Sequence, residues 1–138
     1  MNALVAFALA SALHAGFQAT VTVLVYPALA DRRDDEWQAA HARHSRAIAP
    51  MVAVVYSALV ISGALLVLTG PEPAGWLALT AAAGALSVTA FAAAPTHGRL
   101  TERDDALVAR LVLVDRWRCA FAVGGALLAA VAVVTRAG

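Results

Sequence analysis

The chain has 138 residues, of which 62% are hydrophobic and only 14% are charged. A soluble domain carries about 25% charged residues, so this composition excludes an ordinary soluble domain. The formal net charge is +1, which gives no basic surface for nucleic acid. We therefore predict a single membrane domain over residues 1–138, with the lipid bilayer as its main partner.

The charged residues are segregated along the chain and leave four long stretches without Asp, Glu, Lys or Arg. These stretches are residues 1–30, 47–71, 73–98 and 119–135. A helix needs about 20 apolar residues, and at least about 17, to span a bilayer, and all four stretches pass. The first stretch is longer than a signal-peptide core of about 7–15 residues and lacks a basic flank. We expect it to be retained in an all-α bundle of four transmembrane helices.

Helix-breaking residues and hydropathy determine the predicted bounds of the four helices, taken in chain order. The predicted helices cover residues 3–30, 34–69, 76–94 and 102–135. Pro50 is expected to kink the second helix, and "GPEPAG" (70–75) is predicted to form the tight turn of a helical hairpin. Pro95 is expected to end the third helix.

Arginines are concentrated in residues 31–46 and 96–118, the first and third connections between the charge-free stretches. The nine arginines there are Arg32, Arg33, Arg43, Arg46, Arg99, Arg103, Arg110, Arg116 and Arg118. The opposite side carries only Arg136 and the N-terminal amine. By the positive-inside rule, both connections are predicted to lie in the cytoplasm. The N and C termini and the short turn are then on the extracytoplasmic side.

Small residues line parts of the third and fourth helices. Ala81, Ala85, Thr89 and Ala93 follow an i,i+4 row, and "GGALLAA" (124–130) lies in the fourth helix. Small residues allow close helix–helix contact in lipid. An exposed alanine-rich face also makes a homodimer an expectation.

Ionisable side chains gather at the predicted cytoplasmic boundary. His41 and His44 share a helical face, His97 follows the third helix, and Asp115 and Arg118 have i,i+3 spacing at the start of the fourth. Such a cluster against apolar helices is typical of a site for a hydrophobic small molecule. The alternative is structural: histidines and arginines anchor helix ends at the interface, and a buried ion pair can hold a bundle together.

The first helix carries polar side chains within its span. His14, Gln18 and Thr22 share one face, with Tyr26 near the same row. Polar side chains in a span face the bundle interior. They either line a pocket or form interhelical hydrogen bonds worth about 0.6–2 kcal/mol each.

A haem or metal site is a further alternative, because imidazoles suit zinc, copper, iron and haem. The sequence contains no HExxH or CxxCH motif, and Cys119 is its single cysteine. We therefore assign no metal ligand, and no cofactor is evident.

Three segments resemble a broad group of small bacterial four-helix membrane proteins related to the anthrone oxygenase-like family. The segments are "VLVYPALADRRDDEWQAAHARHSRAIAP", "APTHGRL" and "LVLVDRWRCAFAV". The matched positions are Tyr26, Pro27, His44, Pro95, His97, Asp115 and Arg118. The resemblance implies four transmembrane helices in a bacterial cytoplasmic (inner) membrane and oxidation of an aromatic polyketide without a cofactor motif. The group commonly has Asn where this chain has Asp115.

The leading functional hypothesis is a membrane-bound oxygenase, oxidoreductase or cyclase that acts on a hydrophobic aromatic, polyketide or quinone-like molecule at the cytoplasmic mouth of the bundle. His97 or His44 would remove a proton, since an imidazole titrates near neutral pH, and Arg118 would stabilise the oxyanion. Asp115 would orient one of these groups. The predicted substrate-binding residues are His14, Gln18, Tyr26 and His41. The alternatives are a non-catalytic membrane subunit or scaffold that docks a larger partner, and a haem- or metal-binding membrane protein.

Overall fold

The computed structural model describes residues 2–137, and its regular structure in that range is all helical, with no strand. It contains four long helices joined by three short connections. They are α1 (Ala3–Ala30), α2 (Asp34–Leu68), α3 (Pro73–Gly98) and α4 (Asp105–Ala137). The predicted all-α, four-helix architecture is confirmed, and the bounds of α1 and α2 agree with the sequence pattern to within one residue.

All four helices are long and apolar enough to cross a membrane. Large apolar side chains cover their outer faces, where no other helix packs. Leu68, Phe91 and Val134, for example, are more than two-thirds exposed. A bilayer would cover such a surface without the penalty that water imposes.

Helix α4 packs along both α1 and α3, while α2 packs mainly against α1. At the end of the bundle that carries the α2–α3 turn, side chains from all four helices form one apolar cluster. Its largest buried members are Leu4, Phe7, Leu59 and Leu66. This cluster closes that end of the interior.

Small residues bring α3 and α4 close together, as the sequence predicts. A Cβ atom on Gly125 would lie 3.4 Å from the Cβ of Ala81, and a Cβ on Gly84 would lie 2.9 Å from Cδ1 of Phe121. In lipid such close backbone packing replaces the hydrophobic force that drives helices together in water.

Helices α1 and α3 share an unusual feature, a single π-helical segment directly upstream of a proline. The segments are Val21–Val25, before Pro27, and Thr89–Ala93, before Pro95. Proline has no N–H to donate and its ring clashes with the preceding turn, and the wider π turn accommodates both problems. The expectation that Pro95 ends the third helix is therefore wrong, because the helix continues through this turn to Gly98.

Two other predicted boundaries shift. Helix α3 begins at Pro73, three residues before the predicted start, because proline is well suited to the first turn of a helix. Helix α4 begins at Asp105 instead of residue 102, after an irregular link. Gly70, with φ +64°, adopts the left-handed conformation just after the end of α2, in the α2–α3 turn. Pro50 lies within α2, which continues unbroken past it.

The first and third connections lie together at the other end of the bundle. Arg103 joins them, because its guanidinium donates to the carbonyl oxygen of Arg32 and lies 3.3 Å from Oδ1 of Asp34. Its Cζ is also 5.9 Å from the ring centroid of the buried Trp37, within the range of a cation–π contact. The arginine-rich connections are therefore on the same side of the molecule.

Candidate functional site

The interior of the bundle holds a buried carboxylate, Asp115, which is 1% exposed. Gln18 of α1 donates from Nε2 to its Oδ1 at 2.6 Å, and the Thr22 hydroxyl donates to its Oδ2 at 2.5 Å. One turn further along α4, Nη1 of Arg118 lies 3.3 Å from the same Oδ1. Three donors thus compensate the loss of water around the carboxylate.

The network extends from Arg118 to the two remaining helices. Nη2 of Arg118 donates to the Tyr56 hydroxyl of α2 at 3.0 Å, and that hydroxyl lies 3.0 Å from Oγ1 of Thr89 on α3. Thr89 in turn donates to the carbonyl oxygen of Ala85 at 2.8 Å. A single chain of hydrogen bonds therefore links all four helices. Ionisable groups inside a membrane bundle are costly unless paired in this way.

Beside this network, a cleft of about 490 Å³ opens between α2 and α3. Its walls include small residues from both helices, namely Ala49, Ala53, Ala93 and Ala94. Helix α2 packs mainly against α1 and α3 mainly against α4, which leaves room for the cleft between α2 and α3. The volume falls within the range of about 300–1,000 Å³ that is typical of small-molecule sites.

Few ionisable side chains face this apolar cleft. They are Tyr26 of α1, His44 of α2, His97 of α3 and Arg118 of α4. Arg118 is 6% exposed, and its Nε has no hydrogen-bond partner among residues 2–137. Four of the eight predicted site residues therefore meet around one cavity, each contributed by a different helix.

The three boundary histidines form a cluster of aromatic rings. The His41 and His97 centroids are 4.3 Å apart, and those of His44 and His97 are 5.9 Å apart. His41 also stacks on Trp37 at 5.6 Å, which places it behind His97 and outside the cleft lining. His44 continues toward Tyr26, with 6.1 Å between the centroids.

His14 occupies a deeper position than the cleft. It is 2% exposed, and its ring meets the Tyr56 ring edge-on, with 5.1 Å between the centroids. Asp115 and Gln18 are equally buried and reach the cleft only through Arg118. The predicted residues thus fall into two layers, a cleft layer and a buried layer that supports it.

The imidazole cluster does not form a metal centre in this structure. Among residues 2–137, no group of three or more His, Cys, Asp or Glu side chains is arranged to hold a metal ion. The planes of the His41 and His97 rings are tilted by 31° relative to each other.

Tyr56 and Thr89 are the members of the network that the sequence-based site prediction missed. Both are polar side chains within charge-free stretches. The rule that drew attention to His14, that polar side chains in a span face the interior, applies equally to them. It would have identified both residues, although not their partners.

Searches with this sequence and structure found no matching protein-family model, no matching curated protein and no matching solved structure.

Proposed function

We propose that this protein is a membrane-embedded enzyme that acts on a hydrophobic aromatic or quinone-like molecule bound in the cleft between α2 and α3. The observation that carries the proposal is the pairing of apolar, small-residue walls with two imidazoles and one buried guanidinium. The apolar walls suit a lipophilic ring system, and the ionisable groups supply a base and an oxyanion partner.

The proposed reaction begins with proton abstraction. His97 or His44 takes a proton from a carbon next to a carbonyl group, or from a ring hydroxyl, and the electron pair moves onto the oxygen. Arg118 stabilises the negative charge that develops there. Asp115 and Tyr56 hold the guanidinium in place by hydrogen bonds, so it needs little reorganisation during the step.

The resemblance to anthrone oxygenase-like proteins suggests that an oxidation follows. A ring methylene flanked by aromatic rings would react with dioxygen, giving a carbonyl group and one molecule of water. The two electron pairs released from carbon reduce the dioxygen, so no further reductant is needed.

We also propose that the protein resides in a bacterial cytoplasmic membrane with both termini outside. The distribution of arginines supports this orientation. Nine arginines lie in segments 31–46 and 96–118, and the opposite side carries one arginine, Arg136. Four of the nine, Arg32, Arg33, Arg99 and Arg103, lie in the two connections themselves. The contact of Arg103 with both connections supports it further, since it gathers them at one end of the bundle. The cleft would then open near the cytoplasmic face.

The test uses protein purified into lipid nanodiscs, with conversion of anthrone and consumption of dioxygen as readouts. His97→Gln and Arg118→Gln are each expected to lower the turnover rate by about 100-fold or more, the usual contribution of an acid–base or oxyanion group. Arg116→Gln, which alters an exposed arginine on the same helix, is the matched control and should retain activity.

Full activity in both variants would contradict this mechanism. A non-catalytic subunit would tolerate the same substitutions and would co-purify with a larger membrane protein.

A further inference from the structure

The guanidinium of Arg118 is only partly used by the protein. Nη1 is paired with Asp115 and Nη2 with Tyr56, whereas Nε has no partner among residues 2–137 and belongs to a side chain that lines the cleft. A buried N–H without a partner is destabilising, because it has lost its hydrogen bond to water. An oxygen atom on a bound ligand would remove that penalty.

The charge on this guanidinium is already balanced. The Asp115 carboxylate lies 3.3 Å away and is 1% exposed. Gln18 and Thr22 also donate hydrogen bonds to this carboxylate, so both of its oxygens are occupied by the protein. The remaining titratable groups that line the cleft are Tyr26, His44 and His97. None of them carries a permanent positive charge.

An anionic ligand would therefore add a second negative charge, beside that of Asp115, to the single positive charge of Arg118. Removing an anion from water into such an apolar site costs several kcal/mol, and the guanidinium cannot compensate it fully while Asp115 is ionised. A neutral oxygen acceptor avoids this penalty and still satisfies Nε.

We infer that Asp115 makes the cleft selective for neutral ligands that carry a hydrogen-bond-accepting oxygen and that it excludes ligands already anionic before binding. The inference rests on the proposed binding of a hydrophobic small molecule in the cleft, and it adds the charge class of that molecule. Asp115 acts here as a specificity-determining residue that works through Arg118.

Two probes with the same three-ring body test the inference, anthracene-9-carbaldehyde and anthracene-9-carboxylate. At neutral pH the first is a neutral carbonyl compound and the second is an anion. Equilibrium dialysis against protein in nanodiscs, corrected with empty nanodiscs, gives both dissociation constants without any turnover. We expect the wild-type protein to bind the aldehyde at least about tenfold more tightly, where tenfold corresponds to 1.4 kcal/mol.

Asp115→Asn is nearly isosteric but leaves the guanidinium uncompensated. In this variant the ratio of the two dissociation constants should shift toward the carboxylate by about tenfold or more. Asp105→Asn, which changes an exposed acid at the start of the same helix, is the control and should leave the ratio unchanged. If Asp115 had a purely structural role, the Asp115→Asn substitution would weaken the binding of both probes equally.

Equal binding of the two probes by the wild-type protein would overturn the inference, even if Asp115→Asn failed to fold. An unchanged ratio in a folded Asp115→Asn protein would overturn it as well. A fully active His97→Gln protein would contradict the catalytic proposal, but it would not change the expected ratio of the two dissociation constants. Binding of neither probe above the background of empty nanodiscs would overturn ligand binding in the cleft, and this inference with it.

Discussion

Arg118 and Tyr56 are 62 residues apart in the chain, and the guanidinium of one donates to the hydroxyl of the other at 3.0 Å. This contact connects the ion pair of Asp115 and Arg118 on α4 to α2 and, through Thr89, to α3. It also stands directly beside the cleft that Arg118 lines. The stability of the bundle and the geometry of the proposed site therefore depend on the same hydrogen bonds.

Tyr56→Phe removes the hydroxyl group and keeps the ring that contacts His14. We expect the free energy of unfolding to fall by about 1–2 kcal/mol, because a charge-assisted hydrogen bond is lost and Thr89 loses a neighbour. Reversible unfolding in mixed micelles would measure it. Thr80→Ala is the control, since the exposed Thr80 hydroxyl bonds only to the carbonyl of Trp76 in its own helix. An equal loss in both variants would argue against the network.

Asp115→Ala leaves the buried guanidinium of Arg118 without its counter-charge. The expected loss of unfolding free energy is about 3–5 kcal/mol, the usual effect of breaking a buried pair. Asp115→Asn should lose less, because its amide oxygen still accepts hydrogen bonds from Gln18 and Arg118. A thermal unfolding series in micelles that includes Asp105→Ala as an exposed control would measure these differences. Similar melting temperatures for Asp115→Ala and the wild type would contradict the assignment.

Ala53→Trp places a large ring in the wall of the cleft. We expect ligand affinity and turnover to fall by about tenfold or more, because the ring occupies space that a ligand needs. The neighbouring Val54 is 63% exposed and does not line the cleft, so Val54→Trp is a control that introduces the same ring outside the cleft. Dissociation constants in nanodiscs would compare the two. Equal affinities would place the ligand elsewhere.

Gly84→Ala should destabilise the α3–α4 contact, since the added Cβ would lie 2.9 Å from Cδ1 of Phe121. A loss of about 1 kcal/mol is expected from overpacking. The double variant with Phe121→Ala should show no further loss from the alanine, because the clashing ring is gone. Gly124→Ala, whose Cβ would meet nothing within 4 Å in the described structure, should be neutral or stabilising. Equal unfolding free energies for the two alanine variants would contradict this packing.

Cysteine labelling tests the proposed orientation. In a Cys119→Ser background, Glu72→Cys lies in the α2–α3 turn and Glu102→Cys in the third connection, and both positions are exposed. A membrane-impermeant maleimide should label only Glu72→Cys in intact cells and both variants after permeabilisation. The reverse pattern in intact cells would place the termini inside.

Much of the fold follows from the placement of charge along the chain. The charge-free stretches locate all four helices, and the small residues of α3 and α4 identify their close contact. The π turn before Pro95 was missed, because proline at that position ordinarily predicts a helix end. The helix continues because the residues around this turn pack within the bundle, and a single sequence does not reveal that packing.

The candidate site was less predictable than the fold. His14 and Gln18 are buried, as expected for polar residues within a span. The partnership of Arg118 with Tyr56 depends on the relative depth of α2 and α4, which hydropathy does not determine. The cleft depends on the separation of α2 and α3, a property of the whole bundle that periodicity within each helix cannot provide.

The apolar cluster of Leu4, Phe7, Leu59 and Leu66 closes the end of the bundle opposite the arginine-rich connections. The buried polar network therefore lies nearer to the arginine-rich connections than to the opposite end, with an apolar layer between it and that end. Water and ions that approach from the side of the α2–α3 turn meet this apolar layer first.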